Sequence, residues 1–450
     1  MTFSSMNFLF FFFPLVFLSY FIVKNRTYRN CVLLVFSLLF YAWGEPVYIV
    51  LMLAASLVAY VGGIIMEKTK YRKASLIITL VLLLSNLFIF KYLNFVCDNI
   101  GITIKTIALP IGISFYTFQI ISYVADLYKG EVKLQTNFFY LTLYVSFFPQ
   151  LIAGPIVRYQ TVEDEILNRK ESLDGVASGL RRFTVGLAKK VIIANNVALI
   201  STTVYSGGDE FGTAMYWLAA IAYALQIYFD FSGYSDMAIG LGRMFGFNFL
   251  ENFDYPYISL SITEFWRRWH ISLSSWFRDY IYIPLGGNRC SKFRHIFNIC
   301  VVWALTGLWH GASWNFIIWG VYYAALLLIE KYLIGKYIEK LPKILRWVYA
   351  MFFVLISWVI FDRTDFSDMT RALLTMFSFV KTDWANMIIE NTSLLKGLVF
   401  VPVGIIAMFP ISKKIKLDET LANILSLAVI AICVMFIISS SFNPFIYFRF

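Results

Sequence analysis

Charged side chains are scarce in this sequence. Asp, Glu, Lys and Arg make up 14% of its residues, whereas about a quarter of the residues of a typical soluble domain are charged. Hydrophobic residues make up 60%, so the composition excludes an ordinary soluble protein and indicates a polytopic membrane protein. The 38 Lys and Arg residues occur in short clusters between apolar runs. Such clusters orient membrane spans and contact anionic headgroups, and we therefore predict membrane lipids, but no nucleic acid, as partners.

Cysteine and histidine patterns that hold metals are also missing. The five cysteines are scattered and form no CxxC pair, which argues against a disulfide framework and against a thiolate metal site. His270, His295 and His310 are the only histidines, and none of them belongs to an HExxH motif. The sequence therefore predicts no metal and no bound cofactor.

Apolar runs of roughly the length of a transmembrane helix, about 20 residues, follow one another along the chain. We predict an all-α, polytopic fold that forms a single domain over residues 1–450. It would contain about 11 transmembrane helices, with re-entrant and interfacial helices around a central cavity. No internal repeat is visible, which argues against a secondary transporter. The candidate membrane segments are 6–23, 31–43, 46–66, 74–96, 109–128, 138–156, 183–205, 213–231, 296–329 as two, 344–361, 394–410 and 420–440.

The cations near the first span predict its orientation. No positive residue precedes the apolar run Met6–Val23, and Lys24, Arg26 and Arg29 follow it. A small-residue cleavage site is absent, so the run is typical of a retained span rather than a signal peptide. By the positive-inside rule the N-terminus faces outward, in a multi-pass protein of the cell membrane.

An amphipathic pattern runs from Ser261 to Gly287, and it predicts one helix that lies in the membrane interface. This helix is either a cytoplasmic-side anchor or the lining of an entry for an anionic donor. Glu264 stands four residues before Arg268, a favourable helical pair. The apolar face would carry Trp266, Trp269, Leu273, Trp276, Phe277 and Tyr280, and the polar face Arg267, His270, Ser274 and Arg278.

Two carboxylates, Asp230 and Asp236, lie in an apolar stretch that contains "DFSGYSD". An ionised carboxylate buried in apolar surroundings must be paired or hydrogen-bonded, so these residues form either a structural network or part of a substrate site. The glycine and serines predict a break in the helix. Because the two Asp are six positions apart, a regular helix would place them on different faces, which argues against a shared acid/base pair.

His310 stands inside an uncharged run of 34 residues, from Ile296 to Ile329. The run has room for two short helices, and the segment "GLWHGASWN" predicts the break between them. The imidazole would then lie at a turn that reaches into the protein. It suits a general base that removes a proton from an acceptor hydroxyl. The alternative is a buried histidine that only holds two helices together.

Six stretches resemble the membrane-bound O-acyltransferase family, and among its members the alginate-type bacterial ones. The blocks that contain WHIS and WHG, in that order and about 40 residues apart, are the most specific of them. The matching stretches are "LPIGISFYTFQIISYVADLYKG" (109–130), "FFPQLIAGPIVRY" (147–159), "YFDFSGYSDMAIGLGRMFGFNFLENFDYPY" (228–257), "FWRRWHISLSSWFRDYIYIPLGGNR" (265–289), "LTGLWHGASWNFIIWG" (305–320) and the terminal "NPFIYFRF" (443–450).

The resemblance implies an O-acyltransferase, most of all an O-acetyltransferase, with His310 and His270 as the catalytic histidines. It implies a role for Arg158 in the "AGPIVRY" block. We also expect the substrate to contact Trp309 and Asn315, which flank the WHG histidine, and the two carboxylates Asp230 and Asp236.

Donor, acceptor and partners are likewise implied by the resemblance. The donor would be acetyl-CoA or another acyl thioester on the cytoplasmic side, and the acceptors would be hydroxyls of an extracytoplasmic polysaccharide. A separate extracytoplasmic acetyltransferase subunit that resembles an SGNH esterase, and the polysaccharide synthesis machinery, would be the protein partners. The alternative functions are D-alanyl transfer in teichoic acid modification and, from another class, transport.

Overall fold

The computed structural model describes residues 1–152, 154–415, 417–439 and 445–446. The regular secondary structure in these ranges is helical, and they contain no β-strand. The predicted all-α class is confirmed, and its cause is that helices satisfy their own backbone hydrogen bonds inside a bilayer. The residues form two compact units: unit 1 comprises Met1–Val185 and Tyr234–Leu250, and unit 2 comprises Gly186–Gly233 and Glu251–Phe450. That the whole chain is one domain stays a prediction.

Unit 1 consists of the helices from the N-terminal part of the chain. A π-helical turn, Phe8–Phe12, leads into the first helix, and a second one, Phe88–Tyr92, joins α4 to α5. The helices are α1 Phe13–Ile22, α2 Arg26–Gly44, α3 Ile49–Lys68, α4 Arg72–Leu87, α5 Leu93–Asn99, α6 Ile113–Lys129, α7 Phe138–Ser146, α8 Phe148–Leu151, α9 Tyr159–Asn168 and α10 Leu173–Ala188, the last of which ends in unit 2.

Unit 2 contains the remaining helices. π-Helical turns follow α10 at Lys189–Ala194, α14 at Arg278–Tyr282 and α16 at Glu330–Ile334. Short 3₁₀ turns occur at Gly208–Glu210, Pro256–Ile258 and Pro410–Lys414. The helices are α11 Asn195–Gly207, α12 Thr213–Met244, α13 Ile262–Arg268, α14 Ile271–Phe277, α15 Lys292–His310, α16 Trp314–Ile329, α17 Gly335–Ile338, α18 Lys343–Asp362, α19 Phe366–Phe377, α20 Trp384–Glu390, α21 Thr392–Ala407 and α22 Glu419–Ser439, with the end of α12 in unit 1.

Six helical stretches of the described residues are long and apolar enough to cross a membrane. This number confirms a multi-pass membrane protein, while the larger count of about 11 spans stays a prediction. The central cavity also stays a prediction. The six stretches are Ile49–Lys68, Arg72–Asn99, Leu173–Gly207, Trp314–Ile338, Lys343–Asp362 and Glu419–Ser439, and the shorter apolar helices are Phe8–Ile22 and Thr392–Ala407.

The predicted helix break at "DFSGYSD" is wrong, because α12 runs without interruption from Thr213 to Met244. The small residues serve close packing instead. A Cβ atom on Gly233 would lie 2.7 Å from the backbone oxygen of Gly186 on α10, so only glycine lets the two backbones approach this closely. Small residues at helix contacts are typical of membrane proteins, in which dispersion contacts drive helix association.

Candidate active site

Helices α15 and α16 form a hairpin that places His310 at its turn. The predicted break is confirmed: α15 ends at His310 and α16 begins at Trp314. Glycine permits the hairpin to close, since a Cβ atom on Gly307 would lie 2.3 Å from the backbone oxygen of Phe316. A Cβ atom on Gly320 would lie 2.5 Å from a backbone oxygen of α15. The histidine is therefore held at a helix end by backbone packing as well as by its own contacts.

The His310 imidazole is 5% exposed and surrounded by aromatic rings. The ring centroids of Trp319 and Phe361 both lie 5.1 Å from it, with their planes almost perpendicular to the imidazole. Trp309 lies at 5.0 Å and Phe316 at 6.3 Å. These aromatic walls keep bulk water away from the imidazole, which strengthens any electrostatic interaction made there.

His270 lies in a backbone kink rather than on the polar face of one helix. The predicted single interfacial helix is wrong: α13 ends at Arg268, α14 begins at Ile271, and His270 between them has the left-handed backbone angle φ of 44°. The kink turns the imidazole into the protein, where it is 1% exposed. A non-glycine residue in this conformation costs energy and needs support from its surroundings.

The predicted division into a buried and an exposed side holds for the tryptophans and for two arginines, while the position in the membrane interface stays a prediction. The tryptophans of the predicted apolar face are buried, and Arg267 and Arg278 of the predicted polar face are exposed. The Nε of Arg268 donates to Glu264 at 3.0 Å, as the spacing predicts. The kink moves His270 from the polar side to the buried side, and the helical structure of the segment ends at Tyr282 rather than at Gly287.

Asn252 supplies the support that the kink needs. Its Oδ1 accepts hydrogen bonds from the backbone N–H of Ser272 at 3.1 Å and from the Ser272 hydroxyl at 2.9 Å. The Nδ1 atom of His270 lies 3.1 Å from the same oxygen. Because this oxygen is an acceptor, the network assigns the proton to Nδ1 and leaves a lone pair on Nε2.

The Nε2 atom of His270 is buried and has no hydrogen-bond partner among the residues that the structure describes. The residue lies outside the spanning helices, and burial lowers its pKa to about 3. The imidazole is therefore neutral at physiological pH. A neutral imidazole with an open lone pair can accept a hydrogen bond from a hydroxyl group of a ligand.

Replacement of Asn252 with Ala should lower the free energy of unfolding by about 1–3 kcal/mol, because buried donors lose their acceptor. Ser272→Ala is the matched control: it deletes one hydroxyl donor to the Asn252 oxygen, which still accepts the backbone N–H of residue 272, so its loss should be smaller. Thermal unfolding of the two variants in the same detergent measures the difference. Equal stability losses would contradict the supporting role of Asn252.

Trp309 connects the two histidines. Its indole centroid lies 5.8 Å from the His270 ring and 5.0 Å from the His310 ring. Phe231 of α12 packs against His270 on another side, at 4.7 Å and an interplanar angle of 87°. The structure thus brings three of the predicted site residues, His270, Trp309 and His310, into one aromatic cluster.

Asn315 lies next to this cluster and holds the end of another helix. It is 2% exposed, and its Nδ2 donates to the backbone oxygen of Phe361 at 2.9 Å. The side chain therefore satisfies a carbonyl group in the last turn of α18 and fixes Phe361 beside His310. Its predicted contact with substrate stays a prediction.

The two buried carboxylates of α12 pair with different cationic side chains. Asp230 pairs with Lys190 at 2.8 Å and also accepts the backbone N–H of Ile446 at 2.8 Å. Asp236 pairs with Arg182 at 2.6 Å. That the two carboxylates do not form one acid/base pair stays a prediction. Of the terminal "NPFIYFRF" block only residues 445 and 446 lie within the described residues.

Arg158 belongs to unit 1, as does Asp236, whereas His270 and His310 belong to unit 2. Arg158 is half-buried and occupies the N-cap position of α9. Its predicted role in substrate binding stays a prediction. Among the described residues, no group of three His, Cys, Asp or Glu side chains could hold a metal ion.

Glu330 is a site-supporting residue that sequence reasoning missed. Its buried carboxylate accepts the backbone N–H groups of Ile262 at 2.8 Å and of Thr263 at 3.0 Å, and the Thr263 hydroxyl at 2.5 Å. These donors form the first turn of α13, where a negative charge is favourable. An isolated Glu directly after an apolar helix was the available signal. The Glu330 carboxylate thereby fixes the start of α13, the helix that leads into the His270 kink.

Comparison with known proteins decides the family. The family model described as "MBOAT, membrane-bound O-acyltransferase family" matches residues 74–362, which is more than half of the chain. The chain belongs to the membrane-bound O-acyltransferase family. All seven predicted site residues fall inside the matched range. The resemblance stated from the sequence blocks is thereby confirmed.

Curated relatives identify the kind of membrane-bound O-acyltransferase. A probable alginate O-acetylase AlgI of Azotobacter vinelandii is 44% identical over 398 residues, which are 85% of this chain and 79% of the relative. The protein of the same name from Pseudomonas aeruginosa is 43% identical over 393 residues, 84% and 75% of the two chains. A peptidoglycan O-acetyltransferase of Helicobacter pylori is 35% identical over 417 residues, 83% and 79% of the two chains. The chain is therefore an O-acetyltransferase.

Proposed function

We propose that this membrane-bound O-acetyltransferase takes an acetyl group from a cytoplasmic thioester, acetyl-CoA, and passes it across the membrane toward hydroxyls of an extracytoplasmic polysaccharide. Alginate is the proposed polymer, since the alginate O-acetylases are similar over most of the chain. The proposed location is the bacterial cell membrane. Transport of an intact solute is not proposed, because the family match is to acyltransferases.

One observation carries this proposal: the buried imidazoles of His270 and His310 both pack against the indole ring of Trp309. In the proposed step His310 removes the proton of an acceptor hydroxyl. The hydroxyl oxygen forms a bond to the thioester carbonyl carbon, and the carbon–sulfur bond breaks. The proton passes from His310 to the leaving thiolate, so that the products are an O-acetyl ester and a free thiol. The imidazole returns to its neutral state.

His270 takes a different role in this proposal. Its low pKa makes it a weak base, but its open Nε2 can accept a hydrogen bond and so orient a hydroxyl group. The surrounding aromatic side chains exclude water, which would otherwise hydrolyse the thioester. Holding donor and acceptor together in this dry cluster supplies a large part of the rate enhancement.

A separate extracytoplasmic subunit that resembles an SGNH esterase is the proposed recipient of the acetyl group. It would deliver this group to the polymer made by the polysaccharide synthesis machinery. Trp309, Asn315, Arg158 and the two carboxylates are proposed to contact the donor or the acceptor. The proposal includes no metal and no resident cofactor, because the thioester itself supplies the activated acyl group.

Proteoliposomes with acceptor and donor on opposite sides of the membrane test this function. The purified chain is reconstituted with polysaccharide and the exported partner inside, and acetyl-labelled acetyl-CoA is added outside. Release of the CoA thiol outside, with label in an ester inside, is the expected result. Empty liposomes are the control.

Each other outcome of this experiment rejects a particular part of the proposal. Label that enters as intact acetyl-CoA, without thiol release, would indicate a transporter. Turnover only with a D-alanyl thioester on a carrier protein would indicate the teichoic acid reaction. Label that forms esters only outside would contradict the transmembrane direction.

A further inference from the structure

Unit 1 contains a cavity of about 660 Å³ that none of the predicted site residues lines. This volume lies in the range of small-molecule sites, roughly 300–1,000 Å³. Its apolar lining comes from the end of α1 and the start of α10: Phe17, Phe21, Leu173 and Val176. Its cationic lining is Lys24, Arg26, Arg29, Arg169 and Lys170, and the polar remainder is Glu171 and Ser172.

A single carboxylate, that of Glu171, faces this cationic lining. It pairs with Arg26 at 2.5 Å, Arg29 at 2.8 Å and Arg169 at 3.7 Å, and it accepts a hydrogen bond from Tyr20. Burial alone would raise the pKa of Glu171, but the hydrogen bonds from Arg26 and Tyr20 outweigh this effect and lower it to about 2. The carboxylate is thus ionised, and its negative charge is neutralised by the arginines with which it forms ion pairs.

A positive charge excess remains in the cavity. Within the described part of the chain neither Lys24 nor Lys170 forms an ion pair, and both are exposed. The Arg169 guanidinium is buried and holds the fold: its Nε donates to the backbone oxygen of Phe245 at 3.1 Å. The arginines therefore form a rigid base around Glu171, and the two lysines are available to an anion.

The apolar lining narrows the class of that anion. A small inorganic anion would contact the lysines and leave Phe17, Phe21 and Leu173 without a ligand. An amphiphile with a phosphate group next to an acyl chain matches both linings at once. Clusters of Lys and Arg at the ends of membrane helices attract anionic lipid headgroups. The charges that follow α1 are, by the positive-inside rule, on the cytoplasmic side.

We propose that this cavity is a binding site for an anionic phospholipid of the cytoplasmic leaflet. The phosphodiester group contacts Lys24 and Lys170, and the adjoining acyl chain lies along Phe17, Phe21 and Leu173. The excess positive charge repels cations and attracts a zwitterionic lipid, which has no net charge, only weakly. A phosphate group could also come from a soluble compound such as the CoA donor, so the experiment compares these sources directly.

Native mass spectrometry of the delipidated chain in detergent measures the binding. The unaltered chain should retain phosphatidylglycerol and should bind phosphatidylcholine much more weakly. The double variant Lys24→Gln with Lys170→Gln should bind phosphatidylglycerol roughly 30-fold more weakly, which corresponds to about 1 kcal/mol for each lost cation. Neither lysine supports another side chain through an ion pair, so the variant should fold normally.

The matched control replaces two exposed lysines of the next cationic cluster, Lys68→Gln with Lys70→Gln, which do not line the cavity. This control should bind phosphatidylglycerol like the unaltered chain. Equal weakening by both double variants would overturn the site, because it would indicate a general charge effect. Displacement of the lipid by inorganic phosphate or CoA at equal concentration would overturn the lipid assignment. These readouts measure binding and do not depend on acetyl transfer.

Discussion

Replacement of His310 with Ala should lower the rate of acetyl transfer by about 10² to 10⁴, the usual contribution of a general base. The imidazole lies at the turn of the α15–α16 hairpin inside an aromatic cluster, and among the described residues the other imidazole of this cluster, His270, has a pKa of about 3. His270 cannot replace it as a base near neutral pH. Thiol release from acetyl-CoA by the purified variant measures this loss.

Two further experiments separate catalysis from packing. The His310→Ala substitution also leaves a cavity among aromatic rings, so thermal unfolding of the variant must be measured beside its rate. Added imidazole should restore part of the rate if the missing group is a base, and should restore none if the defect is structural. His295→Gln, near the other end of α15, is the matched control and should retain most activity. Activity of His310→Ala within threefold of the unaltered chain would contradict the proposal.

The buried pair of Lys190 and Asp230 should give the largest loss of stability. Their side chains are 5% and 2% exposed and 2.8 Å apart. Removal of one partner from a buried ion pair leaves an uncompensated charge and costs about 3–5 kcal/mol. We expect a loss of this size for Lys190→Ala, measured as the free energy of unfolding in mixed detergent micelles.

A compensating variant distinguishes charge from packing at this position. Lys190→Met together with Asp230→Asn removes both charges but keeps an acceptor for the backbone N–H of Ile446. It should recover most of the stability that Lys190→Ala loses. Arg182→Ala breaks the pair with Asp236, in which the arginine is 28% exposed, and should cost less. A double variant as unstable as the single one would show that packing, not charge, sets the loss.

The position of His310 was predictable because its determinants are local. A 34-residue uncharged run is longer than one span needs, and glycines on both sides of the histidine mark the turn. Helix ends depend on a few neighbouring residues, so the pattern suffices. The same reasoning failed at Gly233, where the glycine packs against Gly186 instead of ending a helix. Glycine has both uses, and only the neighbouring helix distinguishes them.

The surroundings of His270 could not be predicted from its own segment. Periodicity assumes an unbroken helix and so assigned the imidazole to the polar face. The kink depends on Asn252, which is 18 residues away. It also depends on Glu330, which directly follows α16 and accepts the first backbone N–H groups of α13. Lys190 was missed in the same way, since it lies in the π-helical turn after α10 and pairs with Asp230 of α12, 40 positions further along the chain. Partners distant in sequence leave no periodic signal.

The pairing of Lys190 with Asp230 also bears on how the chain enters the bilayer during synthesis. Lys190 lies near the middle of the apolar stretch Leu173–Gly207, and Asp230 lies in α12, the long helix that follows this stretch. The Lys190 charge alone would oppose insertion of the stretch Leu173–Gly207 by about 2.5–3.5 kcal/mol at the centre of a span, and Asp230 carries the opposite charge. Together they neutralise each other, so the two helices should leave the translocon as one hairpin and not one after the other.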